Sequence, residues 1–195
     1  MDLKGKKLIL GSGSPRRREL LEGLDVPFTV DTGNNFEESV PAGAPHEEVP
    51  VLMAEGKSYG FHRPLQEDEI LLTADTMVLC GSDILGKPAG REDAVRMLRE
   101  LSGRGHSVIT AVTMRDRDRH VTLTDTAGVW FRELTGEEIA HYVDKYRPFD
   151  KAGAYGIQEW IGYVGIERIE GSFFNIMGLP VHLVYRLLRQ FTGLD

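Results

Sequence analysis

The fold is decided near the amino terminus by the stretch Leu8-Ile9-Leu10-Gly11-Ser12-Gly13-Ser14-Pro15-Arg16-Arg17-Arg18. The three apolar residues at its start predict a strand, and the small residues after them predict a tight turn. The amphipathic run that follows, as far as Leu24, predicts a helix over 16–24. Ser14 suits the N-cap of that helix, and Pro15 suits its first position.

The same corner is a candidate anion-binding site. Backbone N–H groups at a helix amino terminus attract anions, and arginines add positive charge. We expect either a phosphate contact with Ser12, Ser14, Arg16 and Arg17, or an ordinary strand-to-helix turn with solvated arginines. The dinucleotide-binding fingerprint does not match, because Arg16 stands where its third glycine is needed. The Walker motif does not match either, because Gly13 is followed by Ser14 and Pro15.

Composition limits the classes of function. The 195 residues carry a net charge of −7, with 41% hydrophobic and 27% charged residues, as in soluble globular proteins of one domain or two tightly joined lobes. The negative charge disfavours nucleic acid and anionic membranes as partners. Cys80 is the only cysteine, so we expect a buried thiol and no intramolecular disulfide. A signal-peptide core and a membrane-length apolar stretch are both missing, which predicts a cytoplasmic location.

Short strands and helices alternate along the chain, which is typical of an α/β protein. Helical patterns cover 47–59, 91–101, a run after the capping box Thr135–Glu138, and 179–191. A buried strand over 70–74 runs into Asp75, and β-forming residues continue to Cys80. Two long strands, 107–114 and 121–131, are joined by a charged turn over 115–119 that we expect to be solvated. Consecutive long strands without a helix between them predict a mixed sheet.

Two acidic positions are candidates for catalysis or metal binding. Asp75 interrupts an apolar strand, where a carboxylate can activate water or bind a metal, although many such aspartates only end a strand. Glu38 follows Glu37 in a polar loop, and two carboxylates could help to hold Mg²⁺ or could simply be solvated.

Two lysines and one glutamine are candidates for binding a ligand. Lys57 lies on a predicted helix and Lys87 in the turn Gly86–Pro88, where each could reach a phosphate or remain on the surface. Gln158 ends the glycine-rich run Asp150–Gln158. Its amide carries a donor and an acceptor, which suits the edge of a nucleobase, but a flexible loop with an ordinary glutamine would have the same sequence.

Taken in order, these motifs resemble the Maf family of nucleoside triphosphate pyrophosphatases over nearly the whole chain. The landmarks are Ser12–Arg17, Glu37-Glu38, Lys57, Ala74-Asp75-Thr76, Gly86-Lys87-Pro88, Leu101–Arg104, Asp150–Gln158, Gly171-Ser172 and Asn175. The resemblance implies that residues 1–195 form a single Maf-like α/β domain, an elongated mixed β-sheet flanked by helices with two lobes around a central cleft. This fold is related to that of the inosine-triphosphate pyrophosphatases.

The resemblance also implies a reaction. A nucleotide would be hydrolysed between its α and β phosphates to the monophosphate and pyrophosphate, with Mg²⁺ or Mn²⁺ as cofactor. Asp75 would be the general base, and Glu38 would hold the metal together with Asp75. Arg16, Lys57 and Lys87 would hold the triphosphate. The resemblance is compatible with a homodimer and with house-cleaning of modified nucleotides.

Substrate choice depends on fewer residues. Arg16, Thr76 and Gln158 resemble the branch of the family that is selective for dTTP and UTP, whereas a sibling branch prefers 7-methyl-GTP. A glutamine amide can make two hydrogen bonds to uracil or thymine, and a mismatched base would leave a buried amide unpaired. The chain departs from the family in Glu159-Trp160, where a glycine more often follows the glutamine. The alternative function is a non-catalytic, nucleotide-binding regulator of cell division, since the family is named for an effect on septum formation.

Overall fold

The computed structural model describes residues 2–40 and 43–194. Within them the strands are β1 (Lys7–Leu10), β2 (Phe28–Val30), β3 (Glu69–Cys80), β4 (Asp83–Leu85), β5 (Gly105–Arg115), β6 (His120–Phe131) and β7 (Ile166–Glu170). The α-helices are α1 (Pro15–Glu22), α2 (Val49–Tyr59), α3 (Arg91–Leu101), α4 (Gly136–Tyr146), α5 (Trp160–Gly165), α6 (Phe173–Met177) and α7 (Val181–Thr192). Short 3₁₀ turns cover His46–Glu48 and Ala152–Ala154.

The strands form a mixed sheet in the order β2-β1-β3-β5-β6-β7, with β4 paired to β3. β1 lies parallel to both β2 and β3. β4 and β7 run antiparallel to β3 and β6 respectively. The predicted α/β class with a mixed, helix-flanked sheet is therefore confirmed.

The chain divides into two compact units. The first comprises the described residues up to Asp75, residues 110–125 and those from Gly178 onward. Ile9, Phe61, Leu65 and Leu71 form a buried apolar cluster in it. Helix α7 belongs to this unit and buries one apolar face, as the helical pattern over 179–191 predicts.

The second unit comprises residues 76–109 and 126–177. Helices α3 and α4 contact each other in it. The buried residues of α3 recur at helical spacing, as its sequence predicts, and they are Ala94, Met97, Leu98 and Leu101. Cys80 is buried with 1% of its surface exposed, and burial raises the pKa of its thiol.

Three segments differ from their predicted form. Asp75 lies inside the 12-residue strand β3 and does not end it, because the antiparallel partner β4 continues the strand beyond this point. The helix predicted over 47–59 begins with a separate 3₁₀ turn, and α2 starts only at Val49. Segment 153–178, whose glycine- and aromatic-rich sequence predicts neither a helix nor a strand, contains α5, β7 and α6. Among the described residues, no helix combines the length and apolar character that a membrane span requires.

The predicted capping box at the start of α4 is present. Thr135 Oγ1 accepts the Glu138 N–H at 3.2 Å, and Glu138 Oε2 accepts the Thr135 N–H at 2.8 Å. Arg132 adds two hydrogen bonds of 2.7 and 3.1 Å to the same carboxylate. Arg132 first, and the Thr135 N–H second, lower the pKa of Glu138 to about 2. The start of α4 is therefore fixed by one ionised carboxylate.

We expect Glu138→Gln to lower the free energy of unfolding at pH 7 by about 1 kcal/mol, since a cap and charge-assisted hydrogen bonds are weakened. The depressed pKa means that the stabilisation is complete above the ordinary value of 4.5 and is lost as the pH falls towards about 2. Urea unfolding at neutral pH and at about pH 3 would measure both effects. Exposed Glu137, in the same helical turn, supplies the control Glu137→Gln, and an equal loss in the two variants would contradict the prediction.

Candidate functional site

The strand-to-helix corner after β1 is held by hydrogen bonds of its own side chains. Ser14 is the N-cap of α1, and its Oγ accepts the Arg17 N–H at 3.4 Å. Ser12 Oγ accepts bonds of 3.3 Å from the Ser14 N–H and from Arg17 Nη1. Arg17 Nε donates to the Gly178 carbonyl at 2.8 Å. The predicted N-cap is confirmed, and Arg17 joins the corner to the segment that precedes α7.

The register of β1 and β3 connects this corner with Asp75. The two strands are parallel, and the Gly11 N–H donates to the Leu72 carbonyl at 2.8 Å. Asp75 lies three residues further along β3. Asp75 therefore lies beyond the carboxyl end of β1, and ligands bind outside the carboxyl ends of parallel strands in many α/β proteins. Burial lowers the pKa of Arg17, while the charges of Asp75 and Glu38 oppose that effect.

Asp75, Lys57 and Glu38 form a compact group in the first unit. Lys57 Nζ lies 2.7 Å from Asp75 Oδ1 and 3.1 Å from Glu38 Oε1. The Lys57 and Asp75 side chains are each 19% exposed, whereas Glu38 is 59% exposed. One ammonium thus joins the predicted base to the predicted metal ligand.

A groove in α2 positions the loop that carries Glu38. The Phe36 ring occupies the space that a Cβ on Gly56 would fill, and a Cβ on Gly60 would lie 2.6 Å from Phe36 Cβ. Asn34 Nδ2 donates to the Lys57 carbonyl at 2.6 Å. Gly56 weakens a helix by propensity, but here the missing side chain admits an aromatic ring beside Lys57.

Two further contacts fix the part of α2 that carries Lys57. Thr73 Oγ1 donates to the Ala54 carbonyl at 2.7 Å. Arg115 donates to the Ser58 carbonyl at 2.6 Å and to Ser58 Oγ at 3.0 Å. The prediction that Arg115 lies in a solvated turn is wrong. Arg115 is the last residue of β5, and burial lowers the pKa of its guanidinium. No feature of the charged run 115–119 separates Arg115 from its neighbours in sequence.

The carboxylates can be compared with the needs of a divalent metal. Among the described residues, no group of three or more His, Cys, Asp or Glu side chains could hold a metal ion. Glu38 and Asp75 nevertheless offer two carboxylates that converge on one ammonium. Mg²⁺ keeps several waters and commonly binds through one or two carboxylates together with substrate phosphates. The two residues therefore fit a metal ion that arrives with a nucleotide.

The second unit contains the other three predicted site residues, Thr76, Lys87 and Gln158. Thr76 directly follows Asp75 in β3 and is half-buried. Lys87 is exposed in a turn whose Gly86 carbonyl accepts the Gly153 N–H at 3.1 Å. We call residues 151–158 the glycine-rich loop. Gln158 Oε1 at its end is buried and has no hydrogen-bond partner among the described residues.

The family model and the similar sequences agree with each other. The sequence model of the family described as Maf-like protein matches residues 7–191. A dTTP/UTP pyrophosphatase of Porphyromonas gingivalis is 49% identical over 192 residues, which covers 97% of this chain and 96% of that protein. One of Parabacteroides distasonis is 47% identical over 190 residues, with 97% and 98% covered. A solved HAM1 protein of Coxiella burnetii aligns with 65% of this chain and 73% of its own, at a TM-score of 0.39 and 13% identity.

We expect Gly56→Ala to destabilise the protein. The new methyl group would displace the Phe36 ring, and overpacking of this kind costs about 1–3 kcal/mol, more than the roughly 1 kcal/mol that alanine gains in a helix. Thermal unfolding would measure the change. Gly136→Ala, at the first residue of α4 where a Cβ meets open space, is the control. A Tm of Gly56→Ala equal to that of the wild type would contradict the packing argument.

Proposed function

The chain belongs to the Maf family, and we propose that it hydrolyses dTTP and UTP to the nucleoside monophosphate and pyrophosphate. The names of its relatives support the reaction and the substrate class. Among the structural observations, the half-buried contact of Asp75 with Lys57, with Glu38 on the same ammonium, carries the proposal. It combines a carboxylate that can accept a proton with a cation that can meet a phosphate.

Asp75 serves as the general base in this proposal. Lys57 holds Oδ1 of its carboxylate, and the carboxylate accepts the proton of the attacking water. The water oxygen forms a bond to the α phosphorus, the bond from that phosphorus to the oxygen that bridges the α and β phosphates breaks, and pyrophosphate leaves with that oxygen. The half-buried position of Asp75 in the middle of a strand supports this role, because a rigid element holds a catalytic group more accurately than a loop does.

Positive side chains offset the charge that builds up on the leaving pyrophosphate. Arg16 in the first turn of α1, Lys57 on α2 and Lys87 in its turn supply that charge. Arg16 lies at the amino-terminal corner of α1, where the helix dipole also favours an anion. Ser12, Ser14 and Arg17 keep this corner in shape through their mutual hydrogen bonds.

Mg²⁺ or Mn²⁺ is the cofactor in this proposal, with Glu38 and Asp75 as its protein ligands. A bound divalent ion supplies charge neutralisation and a more acidic water. Lys57, which contacts both carboxylates, keeps the two negative charges together before nucleotide and metal bind.

Gln158 selects the base in this proposal, together with Thr76 and Arg16. The buried, unpartnered Oε1 of Gln158 matches the N3–H of uracil or thymine, and its amide NH₂ matches a ring carbonyl.

Four expectations from the sequence stay predictions. They are a single Maf-like domain with two lobes around a cleft, a cytoplasmic location, a homodimer and a house-cleaning role.

We expect Asp75→Asn to lower kcat for UTP by about a thousandfold, because the amide cannot accept the proton of the attacking water. Release of pyrophosphate and monophosphate from a panel of nucleoside triphosphates with Mg²⁺ would measure this. Asp118→Asn, at an exposed position of the turn after β5, is the control. Turnover of purine nucleotides in preference to dTTP and UTP would contradict the substrate class. Tight binding without any turnover would support the regulator instead.

We expect Glu38→Gln to raise the Mg²⁺ concentration for half-maximal activity by about tenfold while kcat at saturating metal changes little. The neutral amide is a weaker ligand, and Asp75 remains. Titration of Mg²⁺ and Mn²⁺ into chelator-treated protein would measure the shift. Glu37→Gln, the adjacent exposed glutamate, is the matched control. An identical metal dependence for Glu38→Gln and the wild type would exclude Glu38 as a ligand.

A further inference from the structure

The Gln158 amide can bind a base only where the main chain around it holds the amide in place. The amide can rotate by half a turn about its last side-chain bond, which exchanges donor and acceptor. In the rotated orientation it would pair with the N3 acceptor and the amino group of cytosine, so the amide by itself serves either pyrimidine. Tight binding of a base therefore requires groups that hold the main chain around Gln158 in one position.

The structure places such groups around Glu159, the residue by which this chain departs from the usual glycine. The buried Tyr142 on α4 donates its hydroxyl proton to Glu159 Oε2. The other oxygen, Glu159 Oε1, lies 3.2 Å from Lys151 Nζ. Lys151 also pairs with Asp150 at 2.8 Å and is only 10% exposed in its side chain. One carboxylate thus joins the first residue of the glycine-rich loop to α4.

The middle of the loop is tied to the same two side chains. The Gly156 N–H donates to the Tyr142 hydroxyl oxygen at 3.0 Å. A Cβ on Gly156 would lie 2.9 Å from Glu159 Cδ and 3.1 Å from Lys151 Cε, so the ends of both side chains pack closely against this part of the loop. Burial, followed by the bond to Glu159, raises the pKa of the Tyr142 hydroxyl, which therefore remains a donor at neutral pH.

A second anchor lies at Tyr155. Its hydroxyl oxygen is 2.8 Å from Nε2 of the buried His106 on β5. Burial lowers the pKa of His106 to about 4, so this pair is uncharged at neutral pH. The charge in the network around the loop therefore comes from Glu159, Lys151 and Asp150.

We propose that Glu159 is a positioning residue for base binding, which acts through Tyr142 and Lys151 to fix the loop that presents the Gln158 amide. The inference rests on the proposed function, because it concerns how tightly the site binds its nucleotide. Glu159 touches the loop and α4, and Gln158 contacts the base. Loss of the Glu159 carboxylate leaves Lys151 with Asp150 and leaves the Tyr142 hydroxyl with the Gly156 N–H, so the loop gains alternative positions and holds the amide against the base less often.

The experiment compares the wild type with Glu159→Gln and Tyr142→Phe. The measurements are kcat and KM for UTP and CTP, and calorimetric binding of the α,β-imido analogues of both nucleotides. For each variant we expect KM for UTP to rise about tenfold with little change in kcat, and the uridine analogue to bind about tenfold more weakly. The double variant should lose no more than the more affected single variant, because both substitutions break one network.

Glu138→Gln is the matched control, since it weakens the start of the same helix α4 without touching the loop. Tyr142→Phe keeps the aromatic ring in place, so the test survives if Glu159→Gln does not fold. Unchanged KM and unchanged analogue binding in both Glu159→Gln and Tyr142→Phe would overturn the proposal, and so would an equal rise of KM in Glu138→Gln. If the wild type binds the uridine analogue but hydrolyses no nucleotide, the proposed function fails, while binding of the analogue still tests Glu159.

Discussion

The Lys57 ammonium lies within 3.1 Å of both the Asp75 and the Glu38 carboxylate, and the placement of these two carboxylates side by side depends on it. Two carboxylates at such close quarters repel each other unless a cation separates them. Asp75 is held by a strand, whereas Glu38 comes from a loop and is largely exposed. The lysine therefore determines where that loop can rest, and its own position is determined by α2.

The supports of α2 extend this constraint outward. Asn34 bonds to the Lys57 carbonyl, Arg115 bonds to Ser58, and Phe36 fills the groove left by Gly56 and Gly60. None of these residues is needed for chemistry, but together they leave the lysine few alternative orientations. In the second unit, Tyr142 and Glu159 hold the glycine-rich loop in a comparable way. In both units a carboxylate, a lysine and a closely packed glycine occur together.

Local patterns predicted the elements well where one residue or one period decides them. The N-cap at Ser14, the capping box at Thr135 and the helix over 91–101 follow from neighbouring residues alone. The segment 153–178 could not be assigned, because its glycines and aromatic residues have no helical or alternating period, and β7 forms by pairing with β6. The contact of Lys57 with Asp75 spans 18 residues, and no spacing rule yields it. The sequence suggested the residues of the site through a family resemblance, and only the fold supplies their partners.

Cys80 has a consequence for chemical labelling. It is the only cysteine of the chain, its side chain is almost completely covered by protein, and burial disfavours the reactive thiolate. Alkylating reagents and mild oxidants therefore find little to react with in the folded protein. A cysteine introduced on the surface would be the one accessible thiol, so a spectroscopic probe could be attached at a chosen position without removing the native residue.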